Sequence, residues 1–346
     1  MGDRLALDEV QREIAIDLYR ALSDTRQQMA DGLREAIEAE KGSAEGGDFS
    51  VIMSTIQELT SGHQRATKAL EATYLTDLRS MLSEEQAESW PAAERVYRRG
   101  TSLGSLMRSE ARVDLEELVR EQRPEALARA EVSNVLERWA VQVDGLLQER
   151  ERRSEALKGD AEMDLKVVLM GGDDDPFEEL REIDARIASA GDQTLRTLAA
   201  VLEDDGLREA WLRKAYTRVF RQTQAEARLE AAMALENLTD DQRSQLEAAG
   251  SQHERDASAA RSRWVQAERE REEEDRLVPG VMIKIQGAEP SASDLARRAI
   301  DELDERLESK LAAILTEAQI GALPARPERE GGDRIELRGS TIRIGG

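Results

Sequence analysis

A chain of 346 residues with 35% charged side chains, 3% aromatics and a net charge of −23 has the makings of long helices packed side by side, not of a deep aromatic core. The acidic balance excludes a nucleic-acid footprint, which needs clustered Lys and Arg, and it disfavours an anionic membrane surface. The lack of cysteine excludes disulfides and thiol chemistry, and no apolar run approaches the ~18 residues of a membrane span.

The chain opens with Leu7-Asp8…Gln11, a capping pair three residues apart that starts a helix. Ile14, Leu18, Leu22, Met29, Leu33 and Ile37 then recur at spacings of three, four and seven and build one apolar face. Glycines within residues 41–48 end this helix. A second helix carries Ile52, Ile56, Leu59, Leu70, Tyr74, Leu78 and Met81. Leu82-Ser83…Gln86 repeats the capping pair, and Pro91 is expected to kink the helix that follows. Residues 100–104, with Gly at each end, form a possible break. Pro124 suits the first turn of a helix running to about Lys158. The run GGDDDP at 171–176 is a turn, followed by helices from Phe177 to about Leu202 and from Leu207 to about Glu236. Leu238-Thr239…Gln242 starts a helix to about Arg276. That helix is strongly charged with few large apolar residues and reads as a solvent-exposed strut. Residues 278–287 break the pattern. Ser293 is expected to cap the last long helix, which leads to Leu315-Thr316…Gln319. From Pro324 the chain is a Pro-, Gly- and Arg-rich tail ending in two short alternating runs, a weak hairpin or an added strand.

In each of the four motifs the Ser, Thr or Asp side chain accepts from the backbone N–H three residues on, and the glutamine reaches back to the cap N–H. Acidic residues in the first turn suit the helix dipole. The preceding leucines, Leu7, Leu82, Leu238 and Leu315, stand where an apolar residue anchors the start of a helix. Gln11 and Gln86 are 75 residues apart, Gln242 and Gln319 77. A weaker pair links residues 128–139 with 202–211. This periodicity divides the chain into three tandem units: 1–122, a degenerate 123–237, and 238–323, followed by the tail 324–346. The expected fold is all-α, an elongated array of antiparallel helical hairpins with a short irregular or β-like tail.

Leu238-Thr239…Gln242 and Leu315-Thr316…Gln319, with Leu82-Ser83…Gln86 and Leu7-Asp8…Gln11 as variants, resemble the motif of the Spy/CpxP family of LTxxQ periplasmic proteins. The resemblance implies small helical hairpins, a periplasmic or secreted location, and an ATP-independent chaperone or envelope-stress role. The chain departs from that pattern in having three units, in its acidity, and in beginning without a signal peptide. A trimmed leader would reconcile the last point; a cytoplasmic location is the alternative.

His63 and His253, the only histidines, fall in different units with no His or Cys beside them, so no transition-metal site is expected. Asp173, Asp174 and Asp175 do not match the spacing of a calcium loop. No phosphate-binding loop or nucleophile–base grouping is visible. The expectation is therefore a non-enzyme without cofactor that binds other proteins, neither nucleic acid nor inserted in a membrane, through apolar helix faces at Met29, Ile52, Met53, Ile56 and Leu59. The alternatives are a structural helical scaffold or spacer without clients, and a cytoplasmic coiled-coil adaptor.

Overall fold

The computed structural model describes residues 2–42, 49–159, 177–274 and 290–325, and these residues are all-α with no strand among them. The GGDDDP turn, residues 278–287 and the alternating runs of the tail lie outside the described residues. A short α1 (Gly2–Leu5) precedes two long helices, α2 (Glu9–Gly42) and α3 (Phe49–Ser80). Then come α4 (Glu84–Glu88), α5 (Trp90–Ser102) and α6 (Leu115–Gln122), with 3-10 turns at Leu103–Ser105 and Glu110–Arg112. Pro91 does not kink a helix: it stands in the first turn of α5, where a missing N–H costs nothing. Pro124 opens a 3-10 turn, Pro124–Ala128, and the long α7 (Ala130–Gly159) starts only after it.

α8 (Glu178–Leu202) matches its expected bounds. The single helix expected from Leu207 to Glu236 is three: α9 (Gly206–Ala215), α10 (Thr217–Phe220) and α11 (Gln224–Met233). The break before α11 has a local cause, since Thr223 and Glu226 form a reciprocal capping box. The chain continues through α12 (Asp240–Glu274), α13 (Ala292–Ile314) and α14 (Glu317–Gly321). Ser291, not Ser293, caps α13 and accepts from the Asp294 N–H. The Ser293 hydroxyl donates instead to Glu268 of α12.

Packing groups the chain into two compact units: Met1–Leu106 with Asp114–Ala161 and Ala185–Asp204, and Met107–Val113 with Glu162–Asp184 and Asp205–Gly346. In the first, α2 and α3 form an antiparallel hairpin. Gln11 meets Gln86 of α4 at its base, and within the hairpin Arg26 of α2 pairs with Glu71 of α3. One core cluster sits at this base: Leu5, Leu7, Leu22, Tyr74, Leu78 and Trp90 are buried together. α5 lies over one flank, where Tyr97 packs against Tyr74 with ring centroids 5.7 Å apart.

In the second unit α12 and α13 form the matching hairpin. Gln242 of α12 meets Gln319 of α14 at its base, and Glu268 of α12 meets Ser293 of α13 at the far end. This hairpin is covered. Tyr216 and Val219 pack on Ala260, Trp264, Val265 and Ile300. Ala225 meets Ala249 and Leu307, and Ala232 meets Leu246 and Leu311. A Cβ added at Gly250 would stand 3.0 Å from Leu229 Cδ2, so glycine is what lets α11 lie this close to α12. The expected solvent-exposed strut is thus overturned. Nine residues of α12 are buried, among them Ala249, Ala257, Ala260 and Ala267. Alanine buries little area itself but lets neighbouring backbones approach, and the bulk comes from the covering helices.

In the rest of the first unit α6, α7 and α8 bury Leu118, Val119, Val143 and Leu198, and one cation is buried as well. Arg99 of α5 is 1% exposed. Its Nε donates to Asp114 Oδ2 at 2.9 Å and its Nη2 to Glu116 Oε2 at 2.8 Å, and its guanidinium lies 5.2 Å from the Trp139 ring centroid. Glu116 also accepts from Arg4 of α1 at 3.0 Å and from Arg120 at 3.2 Å. Arg99→Met is expected to destabilise the fold by about 3 kcal/mol, because Asp114 loses its buried cation and Glu116 keeps only the more exposed Arg4 and Arg120. Arg99→Lys should recover only part of this, since an ammonium cannot make both directed bonds and stack on Trp139. Urea unfolding of the two variants checks the order.

Candidate functional site

The four motif glutamines meet in pairs. Each first builds the capping box legible in sequence. Asp8 Oδ1 accepts from the Gln11 N–H at 2.8 Å while Gln11 Oε1 accepts from the Asp8 N–H at 3.1 Å. Ser83–Gln86, Thr239–Gln242 and Thr316–Gln319 repeat the arrangement. The cap N–H can only donate, so it must face the glutamine oxygen, and this leaves the amide NH2 pointing away from its own helix.

That free NH2 is what joins the pair. Gln11 Nε2 donates to Gln86 Oε1 at 2.9 Å, and Gln86 Nε2 returns to Gln11 Oε1 at 2.8 Å. The remaining donors reach the Met81 carbonyl at 2.9 Å and the Ala6 carbonyl at 3.2 Å, each two residues before the partner's cap. The second clasp is its counterpart. Gln242 and Gln319 exchange bonds of 3.0 and 3.3 Å and reach the Ile314 and Asn237 carbonyls at 2.9 and 3.0 Å. Every amide donates twice and accepts at least twice, which satisfies even Gln319 at 4% exposure. Leu7 and Leu315 are buried beneath the clasps, and Leu82 and Leu238 are half-buried.

The degenerate middle stretch carries no such clasp. Asp205 starts α9 without a side-chain cap bond. Arginines of the facing segment bind there instead: Arg123 Nε donates to Asp204 Oδ2 at 2.9 Å and Arg129 Nη2 to the Val201 carbonyl at 3.0 Å. α7 and α8 leave between them an open groove of about 430 Å³, lined by Gln142, Gly145, Leu146, Arg186 and Gln193 among others.

The expected protein-binding residues are not gathered into one patch. Met29, Ile56 and Leu59 are half-buried and line the α2–α3 seam; Ile52 and Met53 belong to α3, and their side chains lie outside the described residues. The register puts Met29 about 13 Å along the axis from Leu59 at 1.5 Å per residue. Apolar exposure is concentrated elsewhere. Of the six exposed large hydrophobics among the described residues, Val10, Ile14, Ile16 and Tyr19 stand in the first three turns of α2. Ile14 was expected on the core face. Its position at the edge of a stripe only one helix wide leaves it 44% exposed, a fate its spacing alone does not reveal.

A polar cluster in the second unit was not expected. His253 of α12 is buried, with Nε2 at 3.5 Å from Glu226 Oε1 and 3.6 Å from Asp304 Oδ1. Arg261 Nη2 donates to Glu226 Oε1 at 2.7 Å, and the Thr223 hydroxyl to Asp304 Oδ1 at 3.0 Å. Burial works to raise the Glu226 carboxyl, but His253, the Thr223 N–H and Arg261 outweigh it and hold it down to about 2. Burial dominates at Asp304 and pushes it up. The Thr223-x-x-Glu226 capping box was the signal that could have located half of this cluster. Among the described residues no group of three or more His, Cys, Asp or Glu side chains is arranged to hold a metal ion, and no helix is long and apolar enough to cross a membrane.

No family model, no curated protein and no solved structure matches the chain.

Two outcomes test this geometry. Gln242→Ala and Gln319→Ala should each cost about 2–3 kcal/mol, because each strands the partner amide and a backbone carbonyl. The double variant should cost less than their sum by about 1–2 kcal/mol; a coupling near zero in urea unfolding would mean the amides do not pair. The Glu226 pKa is depressed, so its stabilisation is fully present above the ordinary carboxylate value of about 4.3 and is lost as the pH falls from there through about 2. Asp304 has the opposite sign: its raised pKa makes the ionised form costly at neutral pH, a cost relieved on acidification. Glu226→Gln is therefore expected to be less stable than wild type at pH 7 and to approach it as the pH falls towards 2, measured as urea midpoints across that range.

Proposed function

We propose that the chain is a non-enzymatic helical protein that binds other proteins through its α2–α3 hairpin, in a chaperone-like or envelope-stress role. The observation that carries this reading is the contrast between two hairpins built on the same clasp. Among the described residues, α12 (35 residues) has nine buried and α2 (34 residues) has one, Leu22. A helix that commits apolar residues to its length and leaves them uncovered presents surface for something else to cover. Met29 on this hairpin would help it adapt to different partners.

The paired clasps support reading the four motifs as one recurring element, and so support the resemblance to the LTxxQ proteins. An extracytoplasmic location follows from that resemblance and is part of the proposal. Binding would be reversible without nucleotide: hydrophobic contact supplies attraction, and the net negative charge favours basic partners.

Light scattering of an unfolding client, one basic and one acidic, at low and moderate salt, tests the reading. The chain should suppress aggregation of both without ATP, and salt should weaken capture of the basic client more. No suppression of either at several-fold molar excess would discard the chaperone-like role and leave a scaffold.

A further inference from the structure

α11 lies on the α12–α13 hairpin across a seam that is only partly apolar. Its buried residues are Ala225, Arg228 and Ala232: two alanines, which bury little area, and a cation. The rest of the seam is charged. Glu226 and Arg228 of α11, His253 and Arg261 of α12, and Asp304 and Glu308 of α13 line it, and none of these side chains is more than 21% exposed. Arg228 Nε pairs with Glu308 Oε1 at 3.0 Å and Arg261 Nη2 with Glu226 Oε1 at 2.7 Å. Asp304 accepts from the Thr223 hydroxyl, which carries no charge, and the exposed Asp301 adds a further negative charge near it.

The charges of this seam do not balance without a proton. Among these residues three carboxylates face two guanidiniums. His253 Nε2 is buried, has no hydrogen-bond partner among the described residues, and stands 3.5 Å from a Glu226 oxygen and 3.6 Å from an Asp304 oxygen. A nitrogen set between two acceptors needs a hydrogen, and an imidazolium also supplies the third cation. Without it one carboxylate stays uncompensated in a dry seam, which is costly. Burial pushes the Asp304 carboxyl up, which favours proton uptake at the same place. His253 and Asp304 thus take up the proton as one unit.

We propose that α11 is a proton-operated latch: one proton bound between His253 and Asp304 holds it on the α12–α13 hairpin, and loss of that proton lets it lift away. The inference concerns the second hairpin and stands apart from the reading of α2–α3 as a binding surface. Two further features suit α11 to this role. Its ten residues are too few for a helix to persist alone in water, so it is ordered by what it touches. The hairpin beneath is tied by its own Gln242–Gln319 clasp and keeps its form when α11 leaves. Opening uncovers an apolar face at Leu246, Ala249, Leu307 and Leu311. It also frees the Pro324 and Ala325 carbonyls that Arg228 and Gln224 hold.

The closed seam binds a proton more tightly than the open one, so closing is favoured as the pH falls and lost as it rises. In strong acid the order reverses. The Glu226 carboxyl, held down to about 2, is protonated there and releases Arg261 and His253. The latch is therefore tightest in mild acid.

Hydrogen–deuterium exchange of the full chain tests this between about pH 5.5 and 8, within the range where imidazole ordinarily changes charge. Each rate is divided by the rate of an unstructured chain at the same pH. The opening constant of the α11 amides should rise about tenfold across this range, since loss of one proton changes it by up to about tenfold per pH unit, while that of the α7 amides stays level. His253→Gln, neutral at every pH, should abolish the rise. Asp304→Asn removes one of the three carboxylates and keeps an oxygen for Thr223. It should hold α11 as closed at about pH 8 as wild type is at about pH 5.5. Circular dichroism shows whether His253→Gln folds; should it not, Asp304→Asn decides alone. An α11 opening constant that does not change with pH overturns the latch. So does a His253→Gln chain that still follows wild type, or an Asp304→Asn chain that still opens in mild base.

Discussion

Two glutamine side chains facing each other across the base of a hairpin set the terms for the rest of this protein. A capping glutamine ordinarily ends its work at its own helix. Here its oxygen is taken by the cap N–H, and its NH2 is therefore free to bind a second glutamine in the same predicament. The pair joins residues 75 or 77 apart, so local capping becomes a long-range constraint. A slip of one residue in either helix would break the amide exchange and both bonds to the preceding carbonyls. At Gln319, the one buried member, those groups would then be left unpaired, which costs more than a normal hydrogen bond contributes.

Polar contacts continue beyond the clasps. Arg26 of α2 reaches Glu71 of α3, and Ser293 of α13 reaches Glu268 of α12, further along the same hairpins. Where glutamines are missing, in the middle stretch, arginine does the joining. A guanidinium is longer and always charged, and those of Arg123 and Arg129 tie Asp204 and the Val201 carbonyl, respectively, without reciprocity. Arg99 uses the same chemistry in a buried setting, where an aromatic face and two carboxylates balance the cost of removing a cation from water.

One clasp geometry then supports two different outcomes. α12 is poor in large apolar residues, yet its alanines admit the short helices α9–α11, whose Tyr216, Val219 and Leu229 supply the bulk. α2 is rich in large apolar residues, yet α5 covers it only near the base. Amount of apolar side chain and degree of burial are therefore inverted between the two hairpins. Among the described residues, one hairpin is covered by other helices and its counterpart is covered only in part.

The sequence by itself determined whatever depends on neighbours within about four residues. The helical class, the four capping boxes and most helix bounds are of this kind, because hydrogen bonds at a helix start and the 3.6-residue period are local. The pairing of motifs could be counted as spacings of 75 and 77, but spacing does not say that amides touch. The Thr223–Glu226 box, a local signal, was present and unread. Only the tertiary structure decided which faces are covered. Ile14 and Leu22 lie in one apolar pattern, yet Leu22 meets Tyr74 and Leu78 while Ile14 meets solvent. His253, in a charged helix read as exposed, is buried between Glu226 and Asp304. Burial is a property of two surfaces, and a helix carries in its own residues only one of them.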